Sequence, residues 1–241
     1  MNLTAERFGP EWAMPQVGAF MTTRSADASA AGIAGASGAR PVFLHQVHGA
    51  TVVRVGSDDA LEAAPLHDAD ASVTTEEGVA CVVKAADCLP VLFAAPGGRA
   101  VGAAHAGWRG LAAGVLEATV HEVCAAAACE PVDLLAWLGA CIGPGAFEVG
   151  ADVLAAFGVD ASAPLTGFET RRFRAGRPGK WFADLPLLAR DRLGAAGVVQ
   201  ISGGSGCTVA EASRFFSFRR DGTGAGRMVA AIWRCPAASR L

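Results

Sequence analysis

Apolar positions in this chain come in short runs broken by glycine, proline and polar clusters, and few of the runs repeat with a helical period. Residues 16–23 (QVGAFMTT) predict a first strand that ends at Arg24. From Ser25 to Ala39 the residues are small and weakly polar, with no periodic apolar face to bury, so a mobile loop is expected there. Residues 41–47 and 50–55 read as two strands joined by a turn at His48-Gly49. A polar loop over 57–69 precedes two short strands between 71 and 83, the second leading into Ala86-Asp87-Cys88. Residues 89–95 and 99–104 predict a hairpin across Pro96-Gly97-Gly98, with His105 directly after it.

Trp108 to Ala128 carries apolar residues at Leu111, Val115, Leu116, Val120 and Val123, the spacing of one helix face, so residues 105–109 become a strand-to-helix turn. Beyond it the pattern predicts a buried strand over 133–142, a short helix over 151–157 and an exposed arginine-rich excursion over 165–175. Asp184 is an N-cap with Pro186 in the first turn of a helix running to Gly194. Strands over 198–202, 214–218 and 228–233 close the chain, and the last six residues are expected to fray. Strands outnumber helices and follow one another directly, so the fold class is α+β with mixed sheets, and residues 1–241 read as a single domain.

Composition changes this picture little. Apolar residues make up 52% and mean hydropathy is +0.35, but the excess is alanine, and no uncharged apolar run reaches the roughly 18 residues of a membrane span. Residues 1–15 lack the pattern of a signal peptide, so a cytoplasmic protein with no membrane partner is expected. The net charge of -3, without a basic stripe, argues against nucleic acid as a partner. Seven cysteines without a CxxC spacing argue against a disulfide framework and against a closed four-cysteine zinc site. Cys81, Cys124, Cys129 and Cys141, in apolar or alanine-rich surroundings, read as small buried hydrophobes.

Three residues that can ligate a metal sit at strand ends: His48, Cys88 and His105. Zinc takes imidazole nitrogen and thiolate sulfur, and a site with three protein ligands keeps a fourth position for water or substrate. Asp87, beside Cys88, would orient a ligand or the water. The same residues also suit a thiol nucleophile, in which Cys88 attacks, a histidine takes its proton and Asp87 orients that histidine. Arg109, in the first turn after His105, suits phosphate or a carboxylate, with Arg24 and Arg219 as further cationic candidates. The plain structural reading competes throughout: strand-end histidines are often simple hydrogen-bonded groups, Cys88 before Leu-Pro could be core, and His45 is a rival ligand.

Taken together, His48-Gly49, Ala86-Asp87-Cys88-Leu89-Pro90, His105-Ala106-Gly107-Trp108-Arg109-Gly110, Ile142-Gly143-Pro144, Phe215-Phe216-Ser217-Phe218-Arg219 and Gly226-Arg227-Met228 resemble the YfiH-like family over residues 40–234. That family was formerly labelled multicopper polyphenol oxidase or laccase and is now associated with purine nucleoside phosphorylase activity. The resemblance implies a layered α-β sandwich and a zinc site at His48, Cys88 and His105. It also implies phosphorolysis of adenosine, inosine, guanosine and methylthioadenosine, with adenosine deamination as a further activity, and a link in some members to peptidoglycan precursor editing. A cysteine-dependent hydrolase or amidase acting on such precursors is the alternative, and a copper-dependent laccase a less favoured one. A multicopper oxidase needs roughly ten histidines for its copper centres. This chain has five, although an open His/Cys site can take Cu2+ in place of Zn2+. The N-terminal part departs from the family pattern: Thr23-Arg24 leads straight into the small-residue stretch, where members carry a longer glycine-rich segment and a helix ending in Asn-Arg.

Overall fold

The computed structural model describes residues 6–59 and 67–236. Residues 60–66 of the polar loop, and all of the expected frayed tail except Pro236, lie outside them.

Two sheets are stacked face to face. The first has five strands in the order β1 (Arg7–Phe8), β2 (Val17–Thr22), β14 (Met228–Arg234), β6 (Val79–Ala85) and β3 (Arg40–Val42), antiparallel except for the parallel β3–β6 pair. The second has six, in the order β13 (Gln200–Gly203), β9 (Leu135–Leu138), β7 (Leu89–Ala94), β8 (Val101–Ala106), β5 (Ala71–Thr74) and β4 (Val52–Arg54). Its β13–β9 and β4–β5 pairs are parallel and the others antiparallel. A three-stranded sheet of β10 (Glu148–Val149), β12 (Trp181–Ala183) and β11 (Phe173–Ala175) flanks them.

The unbroken apolar runs follow from burial on both faces of a strand. In β7, Leu92 and Ala94 enter the core between the sheets while Val91 and Phe93 face the helical side. In β6, Cys81 and Val83 point between the sheets, and Ala80 and Val82 point outward. The helical side of the six-stranded sheet is covered by α3 (Val115–Ala127) and α6 (Leu185–Ala195). The outer face of the five-stranded sheet is covered by α1 (Ala30–Ser37), which buries Ile33 against Val82 and Val229. The order of layers is therefore helix, sheet, sheet, helix, the α+β sandwich expected.

Several elements differ from the sequence reading. The stretch read as a loop holds α1, capped at its start by Ser29, whose hydroxyl accepts the Gly32 amide at 3.1 Å, and stopped by Gly38 at φ 69°. Its single buried side chain, Ile33, is too little to give a visible period. The helix expected from Trp108 to Ala128 is two, α2 (Trp108–Ala113) and α3, separated by Gly114 at φ 95°, although the apolar spacing runs through the break. The arginine-rich excursion contains α5 (Glu169–Arg172) and β11, and the helix expected over 151–157 is α4 (Ala151–Ala156).

No strand forms over 214–218. The backbone groups there bond elsewhere: the carbonyl of Arg214 accepts the Arg24 amide, that of Phe215 accepts the Arg220 guanidinium, and α7 (Phe218–Asp221) begins at once. The strand over 41–47 stops at Val42, where a side chain takes over the pairing. Gln46 gives Nε2 to the Lys84 carbonyl at 2.9 Å and accepts the Lys84 amide at 2.8 Å, imitating a strand residue against β6.

Candidate metal centre and its cavity

The β7–β8 hairpin pairs Leu89 with Ala106 and Pro90 with His105, so Cys88, one residue before β7, is a diagonal neighbour of His105. His48 comes from the turn before β4, with backbone at φ 62°. The thiol and the two imidazoles meet here: one ligand atom from each of His48, Cys88 and His105 lies within 4.8 Å of the others. Cys88 Sγ is 3.9 Å from His48 Nε2, and the two imidazole rings meet edge to face with centroids 4.9 Å apart.

The group that assembles this cluster is Asp70, which no sequence motif marks. Fully buried, it accepts the backbone amides of Val47, His48 and Gly49 at 3.2, 3.0 and 2.6 Å, and its Oδ1 lies 2.8 Å from His105 Nδ1. One carboxylate thus fixes the turn carrying His48 and the ring of His105. A carboxylate only accepts, so the Nδ1 proton is committed to Asp70 and Nε2 is the nitrogen left to ligate. Gly107 closes the site on another side: a Cβ there would lie 3.0 Å from Cys88 Sγ and 3.2 Å from His48 Cδ2.

Electrostatics follow from these contacts. Burial alone would raise the Cys88 thiol, but hydrogen bonds and charge from His105 and His48 bring it down to about 6. Burial would lower His105, yet Asp70 and Cys88 raise it to about 9. Burial opposes the Asp70 carboxylate as well, and the His105 bond with the Gly49 and His48 amides holds it below its usual range. The contact between Cys88 and His105 thus favours the charged form of each. A soft thiolate with two imidazoles is a donor set that suits zinc, and three close ligand atoms leave a fourth direction open.

The cluster opens into a cavity of about 620 Å³, within the range of small-molecule sites. Arg109 lines it, its guanidinium 4.3 Å from the centre of the Trp108 ring, as do Arg219, Lys84 and Arg227. With α2 only six residues long, an anion held here would rely on the Arg109 guanidinium rather than on a helix terminus. Arg219 bonds the carbonyl of Glu148 at 3.0 Å. Arg24 is elsewhere: its guanidinium donates to the Ala212 carbonyl and covers the Phe216 ring, and no residue from 24 to 39 lines the cavity. Asp87 touches neither histidine; its carboxylate accepts from Thr208, Ser217 and the Arg219 amide. His45 pairs with Asp68 at 2.7 Å and His67 with Asp59 at 2.8 Å, so both lie outside the cluster. Lys84 also lines the cavity without standing out in the sequence, and Phe218 and Arg227, which lie in the family motifs without a role assigned to them, line it too, because sequence gives no signal for where an isolated side chain points.

A family model described as multi-copper polyphenol oxidoreductase laccase matches residues 22–235. The chain belongs to that family. Purine nucleoside phosphorylase YfiH of Escherichia coli K12 is 47% identical over 195 residues, covering 80% of this chain and 74% of that protein. A purine nucleoside phosphorylase of Pseudomonas aeruginosa is 45% identical over 194 residues, with the same shares covered. Among solved structures, a Neisseria meningitidis protein superposes with a TM-score of 0.82 at 38% identity, over 96% of this chain and all of that one. YlmD of Geobacillus stearothermophilus gives a TM-score of 0.80 at 29% identity, over 92% and 93% of the two chains.

Proposed function

We propose that this chain is a zinc-dependent purine nucleoside phosphorylase acting in the cytoplasm on adenosine, inosine, guanosine and methylthioadenosine, with adenosine deamination as a side activity. The observation that carries the reading is the cluster of His48, Cys88 and His105 in the lining of a cavity shared with Arg109, in a chain whose relatives bear the name purine nucleoside phosphorylase. Zinc bound to these three residues would supply Lewis acidity and water activation at its open position.

The chain's own residues account for the rest. Asp70 keeps His105 in the tautomer that presents Nε2, and Gly107 leaves room for the ligand atoms. Arg109 would hold phosphate by a bidentate contact, placing an oxygen to form the new bond to the ribose carbon as the bond to the base breaks. The electrons of that broken bond leave with the base, and the arginine compensates charge on the phosphate side. Five histidines, of which two reach the cluster, argue against a multicopper oxidase.

The test is adenosine turnover with and without phosphate. Adenine and ribose 1-phosphate formed only with phosphate, and more than about 100-fold less of both in Arg109→Ala, is the expected result; adenine formation indifferent to phosphate would contradict phosphorolysis, whereas inosine formed without phosphate reports the deamination.

A second reading has its own observation: the lowered Cys88 thiol, His105 and Asp70 have the order of a nucleophile, base and orienting acid, as in a cysteine hydrolase or amidase. It requires Cys88 to be free of metal, so activity that survives exhaustive chelation would favour it.

A further inference from the structure

The acid that the sequence singles out, Asp87, is tied away from the histidines, and its contacts point to a different role. It sits at φ 90°, a backbone conformation that non-glycine residues seldom adopt unless the surroundings enforce it. The surroundings here are three bonds to its carboxylate: Thr208 Oγ1 donates to Oδ1 at 2.5 Å, and Ser217 Oγ and the Arg219 amide donate to Oδ2 at 3.1 and 2.6 Å. Its own carbonyl accepts the Ile142 amide at 2.9 Å. Asp87 is covalently next to Cys88, so the residues on either side of Phe218, Ser217 through its hydroxyl and Arg219 through its amide, each hang by one hydrogen bond from the segment that carries Cys88. Ser217 is fully buried, whereas Phe218 is 49% exposed and lines the cavity beside Phe147, Leu185 and Ile142. A half-exposed aromatic ring on the wall of a concave site, with both neighbouring residues bonded to one carboxylate, is placed to offer its face to a ligand.

We propose that Asp87 is a positioning residue that suspends Phe218 on the cavity wall, and that the Phe218 ring stacks on the planar base of the substrate. The proposal rests on the purine reading above. The two acids then have separate roles, with Asp70 ordering the ligating histidines and Asp87 setting where the base lies relative to Cys88.

The experiment measures steady-state adenosine phosphorolysis, adenosine binding by titration calorimetry and metal content in the wild type, Phe218→Leu, Phe218→Tyr and Asp87→Asn. Loss of base stacking predicts a rise of roughly 5-fold or more in KM and Kd for Phe218→Leu, with kcat and metal content kept, and recovery of most of that loss in Phe218→Tyr. Asp87→Asn should raise KM in the same direction while retaining metal. Unchanged KM and Kd in Phe218→Leu, with an active wild type, would overturn this inference and leave the phosphorylase reading standing. A wild type that neither binds nor turns over adenosine would overturn both. Loss of metal in Asp87→Asn would show that Asp87 serves the Cys88 ligand instead.

Discussion

Asp70 carries the site at the scale of the residue. Burying a carboxylate is costly unless every lone pair is used, and here three backbone amides and one imidazole use them. Its replacement by asparagine keeps the volume but sets a donor against amides that already donate. Asp70→Asn is therefore expected to weaken metal affinity by about 10- to 100-fold, read by competition with a chromophoric chelator, while His45→Ala, which removes a pair with Asp68 outside the cluster, leaves it unchanged. The three ligand candidates were legible in sequence because His48, Cys88 and His105 each end a recognisable strand or turn. Asp70 was not, since a lone aspartate ahead of a strand looks like an ordinary loop residue, and its partners lie 21 to 35 positions away. Asp87 was legible as important but not in its partners, which come from positions more than 120 residues later.

At the scale of the element, the hairpin β7–β8 and the turn after it do most of the positioning. The hairpin could be read from two apolar runs across Pro96-Gly97-Gly98, and with it the approach of Cys88 to His105. Close packing behind that approach could not: Gly107 leaves no space for a methyl group beside Cys88 and His48. Gly107→Ala should lower metal content while circular dichroism and the melting temperature show the fold retained. Helix α1 and the break at Gly114 escaped the pattern for a physical reason, because an alanine-rich helix with one buried residue has no amphipathic face, and a left-handed glycine can interrupt a helix without disturbing its apolar spacing.

Strand β6 gives a pH prediction at the same scale. Burial pushes its Cys81 thiol up to about 12 from a usual value of 9.0. The neutral thiol is favoured in the fold, so the stability it contributes is complete below pH 9 and is lost as pH rises from 9 towards 12, where the unfolded chain ionises first. Thermal unfolding followed across that window should show a smaller alkaline decline in Cys81→Ala than in the wild type.

At the scale of the whole molecule, the two stacked sheets form the frame that holds the site, and no helix among the described residues is long and apolar enough to cross a membrane. The fold class was readable from directly successive strands, but the stacking was not, because strands buried on both faces lose the alternation that would tell one face from the other. Leu92, fully buried between the sheets, should cost about 2 to 5 kcal/mol as Leu92→Ala in denaturant unfolding, the range for large-to-small core substitutions. The same frame brings the turn before β4, the start of β7 and the end of β8 to one place, and the metal centre depends on that convergence. The most direct test is metal content of the purified protein by plasma mass spectrometry, in the wild type and in Cys88→Ala, His48→Ala and His105→Ala. About one zinc per chain is expected in the wild type, as for a three-ligand site, and its loss in each variant. Wild-type protein that takes up no metal, or variants that keep it, would contradict a metal centre built from these three residues.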